Sequence, residues 1–264
     1  MDHPDADAVE KGNRIYRLGS VPYLNARPLV ATAIDECSFA VPSKLADEFS
    51  RGLYDAALLP AFEAVRGSGA TVADGICIGS DGPVHSVFLA HREPLDSITS
   101  VALDTASRTS SHLLQIILQD FYAMDMEYSD TPLSEDQARL IIGDPAIQFR
   151  REHQDGDWNF LDLGEAWNRT TGLPFAFAIW VIHPSAKHPE ALADHLRKMK
   201  KTGLAMRDAI AAAEPDPEFA RNYLTQSIRF DLDASGKEAL RLYAVLLRKT
   251  GLVPATPENT LRFL

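Results

Sequence analysis

Cysteine is almost absent from this chain: Cys37 and Cys77 are the only two among 264 residues. Two thiols cannot staple a chain of this size, and their spacing matches no metal-ligand pattern, so a disulfide framework is excluded. Each thiol reads as a small buried hydrophobe or a surface group. Positive charge is also short. Against 37 Asp and Glu stand 26 Lys and Arg, a formal net charge of −11. That balance argues against nucleic acid and anionic membrane as partners, because both demand a basic face. An anionic small molecule stays open, since a local cluster of donors can oppose the overall field. No run approaches the ~20 continuous apolar residues of a membrane helix. The acidic stretch Met1–Lys11 lacks the apolar region of a secretory signal, so a cytoplasmic location is expected. There is no Walker-type glycine loop, no HExxH and no histidine pair at metal-binding spacing. No metal and no other cofactor is expected.

What is present is an ordinary globular composition, 45% apolar and 24% charged. The length suits one large domain or two of about 100–150 residues each. Residues 1–13, polar and without periodicity, read as a disordered leader. Beyond them short β-like runs alternate with helical patterns. Strands are predicted at Ile15–Leu18, Phe39–Val41, Tyr54–Leu59, Gly75–Ile78, Ser86–His91, Ser100–Asp104, Leu140–Ile142, Phe160–Leu163 and Phe175–Ile182. Helices are predicted at Pro28–Ile34 and at Ser43–Arg51, the latter with Ser43 as its N-cap and Gly52 past its end. A third carries Leu113, Leu114, Ile117, Leu118 and Phe121 on one face. The last 75 residues are almost wholly helical, with patterns at 189–211, 217–227 and 234–249 and stop–start signals at Asp216-Pro217 and Gly251.

Repeated β–α alternation predicts an α/β fold whose sheet is mostly parallel. The terminal run of helices does not fit one doubly wound domain. It fits two lobes joined by two crossings, with a ligand cleft between them. On this reading lobe I holds 14–98 plus 184–264, and lobe II holds 99–183. Crossings near 95–100 and just after Phe175–Ile182 would join them.

Four segments could carry chemistry. Ser20-Val21-Pro22-Tyr23-Leu24-Asn25-Ala26-Arg27-Pro28 follows the first strand, and its two prolines stiffen it. Ser20, Tyr23 and Asn25 therefore lie beyond the carboxyl end of a strand, where open α/β sheets bind ligands, although an ordinary connector would look the same. In Gly82-Pro83-Val84-His85-Ser86-Val87, a strand starting near His85 puts His85 and Ser86 on opposite faces, so no hydrolase-type pair follows. Ser86 reads equally as a hydroxyl at a strand start and as a ligand group. Thr105, Ser107, Thr109 and Ser110 crowd a helix N-terminus, which makes an anion site, with Arg108 as a bidentate clamp. Ile142-Gly143-Asp144-Pro145 reads as an N-cap aspartate followed by proline at the first helical position. His112, His183 and His188 read as structural or exposed, and Trp158, Trp167 and Trp180 as core.

The opening motif resembles the signature of chorismate dehydratases, from the futalosine route to menaquinone. The likeness continues in order through Val41-Pro42-Ser43-Lys44-Leu45-Ala46, Asp55-Ala56-Ala57-Leu58-Leu59-Pro60, Gly82–Val87, Ser107-Arg108-Thr109-Ser110, Ile142-Gly143-Asp144 and Thr171-Gly172-Leu173-Pro174-Phe175. The resemblance implies a type II periplasmic-binding-protein-like fold used as a hydro-lyase. Chorismate, a dicarboxylate, would lose water to give 3-[(1-carboxyvinyl)oxy]benzoate. Asn25 and Ser86 would be catalytic. Ser20, Tyr23, Thr105, Ser107, Arg108, Thr109, Ser110, Gly143 and Asp144 would bind the substrate. None of these is an obvious general base, which makes the substrate's own enolpyruvyl carboxylate a candidate proton acceptor. The sister dihydroxynaphthoate synthases share the fold but carry an Asn-Asp-Thr opening loop that Tyr23-Leu24-Asn25-Ala26 does not match. A related enzyme of that kind, or a non-enzymatic binder of small carboxylates, is the alternative. The protein is expected to be a monomer or homodimer.

Overall fold

The computed structural model describes residues 16–66, 69–130, 138–253 and 261–264. The predicted leader 1–13 lies outside them. In chain order the elements are β1 (Leu18–Ser20), α1 (Arg27–Val30), β2 (Cys37–Phe39), α2 (Pro42–Ser50), β3 (Ala56–Pro60), α3 (Ala61–Val65) and β4 (Thr71–Ser80). Then come β5 (Val87–His91), β6 (Ser100–Ala102), α4 (Arg108–Ile116), β7 (Glu127–Ser129), β8 (Ala138–Ile142), α5 (Gly143–Glu152), β9 (Asn159–Asp162) and α6 (Leu163–Thr171). The chain ends with β10 (Phe175–Ile182), α7 (Pro189–Ala205), α8 (Arg207–Ala212), α9 (Pro217–Asn222), α10 (Ala234–Lys249) and β11 (Arg262–Phe263). Most predicted elements are found within a few residues of their expected limits.

Two sheets result. The first has six strands in the order β11-β4-β10-β3-β1-β2, and the second has five in the order β7-β6-β8-β5-β9. Neither is simply parallel. β10 runs antiparallel to both β3 and β4, and β5 runs antiparallel to both β8 and β9. The cause is topological. The chain leaves the first sheet along β4 and enters the second along β5. It then leaves the second along β9 and returns along β10. Outgoing and returning strands lie side by side in each sheet, so they must point in opposite directions.

This pairing relocates the expected crossings. They lie between β4 and β5 and between β9 and β10, not near 95–100 and after Ile182. β5 therefore belongs to the second sheet and β10 to the first. Both strands are almost wholly buried, with no polar alternation to mark a sheet, so the residues reveal a strand but not its neighbours.

One buried aspartate ties the two crossings together. Asp162 caps α6 by accepting from the Gly164 and Glu165 N–H groups, at 3.0 and 3.1 Å. The same carboxylate accepts from Val84 N–H at 3.0 Å and from His85 N–H at 2.7 Å, in the other crossing. Gly164 fits only without a side chain, because a Cβ there would strike the Gly82 carbonyl and the Ser80 hydroxyl.

The C-terminal helices cover the first sheet, as expected. α7 lies against β4 and α1, and α10 lies on β10 while also touching α3 and α4. The Tyr243 hydroxyl donates to the Thr109 carbonyl, which joins α10 to the second lobe. Trp167 and Trp180 are fully buried, and Trp158 sits in a small cluster with Phe88, separate from the main core. Cys77 is buried and Cys37 half-buried. Among the described residues no helix is long and apolar enough to cross a membrane.

Candidate functional site

A cavity of about 60 Å³ lies between the sheets. Its walls are mostly apolar. Leu58 and Pro60 come from β3, Ile78 from β4 and Phe177 and Ala178 from β10, all of the first sheet. Val87 and Ile142, from β5 and β8, close it from the second. Five polar or special positions predicted from sequence also line it: Tyr23, Asn25, Ser107, Ser110 and Gly143.

The opening loop earns its shape from local chemistry. Tyr23 is extended, a 3₁₀ turn at Leu24–Ala26 follows, and Pro28 sits in the first turn of α1. This places Asn25 at the cavity. Its amide nitrogen donates to the Tyr223 hydroxyl at 3.2 Å, and Tyr223 donates to the Ser86 hydroxyl at 2.7 Å. The Asn25 carbonyl oxygen is buried and has no partner. Buried amide oxygens are normally satisfied, so this acceptor awaits a donor.

Two contacts fasten the loop to the second lobe. The Tyr23 ring lies on Gly143, where an added Cβ would sit 3.1 Å from ring carbons. Gly143 also has φ +65°, a conformation that favours glycine. Next to it, Asp144 accepts from Leu24 N–H at 2.9 Å. α5 begins two residues earlier than expected, and Asp144 bonds across the cleft instead of capping its own helix. Burial pushes the Asp144 carboxyl above its ordinary range, and the Leu24 N–H only partly offsets this. Asp104, also raised by burial, and Asp144 add to the burial that raises the Tyr23 phenol.

At the N-terminus of α4, Ser107 is the N-cap. Its hydroxyl accepts from Ser110 N–H at 3.3 Å and lies 3.1 Å from the Ser110 hydroxyl. The helix end and this hydroxyl pair face the cavity, an arrangement suited to a carboxylate.

Other predicted residues are placed elsewhere. Arg108 does not clamp a cleft ligand. Its guanidinium pairs with Glu63 at 2.9 Å and with Asp47 at 3.6 Å. Thr109, fully buried, accepts from Phe62 N–H at 2.9 Å. Both side chains thus bind α4 to the first lobe. Thr105 is exposed, and Ser20 is buried with its hydroxyl near the Val21 carbonyl. Ser43 does not cap α2, which starts at Pro42 after Val41. The expected alternation holds within β5, where Val87 and Leu89 join the main core and Phe88 the smaller cluster, but does not extend to His85 and Ser86, because β5 begins at Val87 and His85 adopts φ +63°. Ser86 does not line the cavity and is linked to Asn25, at its wall, through Tyr223.

Tyr223 is the residue sequence reasoning missed. It sits in a helical stretch as one aromatic among many, and only the fold brings it to Asn25. Among the described residues no arginine, lysine or histidine lines the cavity, and no cluster suits a metal ion.

Solved structures share this architecture at low identity. A protein of Archaeoglobus fulgidus matches with a TM-score of 0.67 at 14% identity, over 90% of this chain and 98% of that one. A Candida albicans gene product exhibiting the generic periplasmic binding protein fold matches with a TM-score of 0.62 at 10% identity, over 96% and 98%. The fold is thus periplasmic-binding-protein-like. Chorismate dehydratase of Thermus thermophilus is 30% identical over 188 residues, 63% of this chain and 69% of the relative. Chorismate dehydratase of Campylobacter jejuni is 26% identical over 242 residues, 85% of this chain and 94% of the relative. The menaquinone biosynthesis family matches residues 16–249, which takes in every strand of the two sheets except β11, the loop at the cleft and Tyr223, and the chain belongs to that family.

Proposed function

We propose that this protein is a chorismate dehydratase. The carrying observation is the cleft itself. Asn25, whose buried carbonyl oxygen has no partner, and a hydroxyl-lined helix N-terminus line one apolar cavity, within a chain similar along most of its length to two chorismate dehydratases.

In the reaction the ring C–O bond breaks and hydroxide leaves. A proton leaves the neighbouring ring carbon, and its C–H electron pair completes the aromatic ring. Hydroxide and proton together make one water. Aromatisation supplies the driving force, so the protein's task is positioning and electrostatics. Ser107, Ser110 and the first N–H groups of α4 hold a substrate carboxylate. The Asn25 oxygen accepts from the ring hydroxyl and fixes its direction. Since no basic side chain lines the described cavity, the enolpyruvyl carboxylate of the substrate takes the ring proton. Tyr23 and Gly143 close the apolar wall and keep water from competing.

The test is incubation of the purified chain with chorismate, followed by mass and ultraviolet absorbance. Loss of one water with growth of a benzoate spectrum is expected. Thermal stabilisation by chorismate without conversion would overturn the reading in favour of a carboxylate-binding protein.

A further inference from the structure

The hydrogen-bond chain behind the cavity has a direction. An amide NH₂ can only donate, so Asn25 Nδ2 gives a proton to the Tyr223 oxygen. The phenolic O–H is then free to donate to Ser86. Two results follow for Asn25. Its NH₂ faces Tyr223, which turns the carbonyl oxygen the other way, and that oxygen is the buried atom with no partner. Without the phenol, the amide could rotate and present its NH₂ to the same place, reversing the site from acceptor to donor.

The phenol is well suited to hold this geometry. Tyr223 is 2% exposed, its ring stacks on Phe219 with centroids 5.7 Å apart, and Ser86 is wholly buried. It stands at the point where α9 passes into a π-helical turn, Tyr223–Ser227. Such turns recur where a helix must re-aim a side chain for function. The three groups come from three places: the opening loop, the first crossing and the C-terminal helices.

We propose that Tyr223 is a positioning residue that fixes the amide orientation of Asn25, and that it does so from the Ser86 anchor in the crossing between lobes. The proposal rests on the dehydratase reading for its readout. Tyr223 touches no substrate; it acts through Asn25.

Tyr223→Phe keeps the ring and its stacking while removing the hydroxyl. The expected result is a kcat for chorismate lowered at least tenfold with KM within about threefold, since carboxylate binding at Ser107 and Ser110 is untouched. In the double variant Tyr223→Phe/Asn25→Ala, the phenol change should add nothing further, because its target is gone. Replacement of Tyr223 by a ring-fluorinated tyrosine retains the ring and hydroxyl but makes the phenolic oxygen a weaker acceptor for the Asn25 amide, and should lower kcat with KM unchanged. A Tyr223→Phe kcat within twofold of the parent, or equal and additive losses with and without Asn25, would overturn the proposal. If Tyr223→Phe fails to fold, the fluorinated protein decides, and an unchanged kcat there overturns it. Failure of the dehydratase reading shows differently: the parent chain itself leaves chorismate intact.

Discussion

At the scale of single residues, Asn25 bears the sharpest expectation. Its nitrogen is committed to Tyr223 and its oxygen is not committed at all, so truncation removes the acceptor and frees the phenol. Asn25→Ala should lower kcat by about 100-fold, the scale seen when one preorganised polar group is removed from a reacting centre. Substrate affinity, measured by chorismate or product titration, should change far less. Near-normal turnover would remove Asn25 from the mechanism. The sequence made Asn25 legible because two prolines and a strand end frame it. The same reasoning failed at Arg108, whose charge suggested a clamp but whose partners, Glu63 and Asp47, lie far away in the chain. Ion pairs between distant segments leave no local trace.

At the scale of elements, period and punctuation worked well. Phe175–Ile182 is a strand with the expected limits, and Asp216 caps α9 through Phe219 N–H, as the Asp-Pro pair suggested. What stayed hidden was which sheet each strand joins. β5 and β10 are buried on both faces, so neither side records its surroundings. Asp162 belongs to the same lesson: inside the predicted strand Phe160–Leu163 it shows neither the helix it caps nor its bonds to Val84 and His85. Asp162→Ala strands four N–H groups in the two crossings, those of Val84 and Gly164 in buried surroundings. A loss of about 3 kcal/mol in unfolding free energy is expected, since bonds to a charged acceptor are the stronger kind. Denaturant melts of the two proteins would show it. A change within the ordinary ±0.5 kcal/mol of a surface substitution would mean that the crossings hold without this pin.

At the scale of the whole molecule, the lobes meet through charges that titrate. Burial raises the Asp144 carboxyl in the folded state, so the fold binds its proton more tightly than the unfolded chain does. Stability from this group is therefore greatest in acid. It falls as pH rises from the unfolded value, about 4, through the raised folded value, and is level above that. Asp144→Asn keeps an oxygen for Leu24 N–H and abolishes the fall. Relative to the parent, the variant should gain stability as pH increases from about 4 and then plateau. Paired thermal melts across the acid range test the sign; a difference that is flat, or that favours the parent increasingly with pH, refutes it.

The paired crossings carry one more consequence. Outgoing and returning chains lie side by side, with β4 bonded to β10 on one flank, β5 bonded to β9 on the other, and Asp162 riveting them between. Two straps riveted together flex readily about the line that runs across both, but resist torsion and sliding. Bending about that line is left as the freest relative movement of the halves, and it would carry the Ser107–Ser110 pair and Asn25 apart and together along one arc.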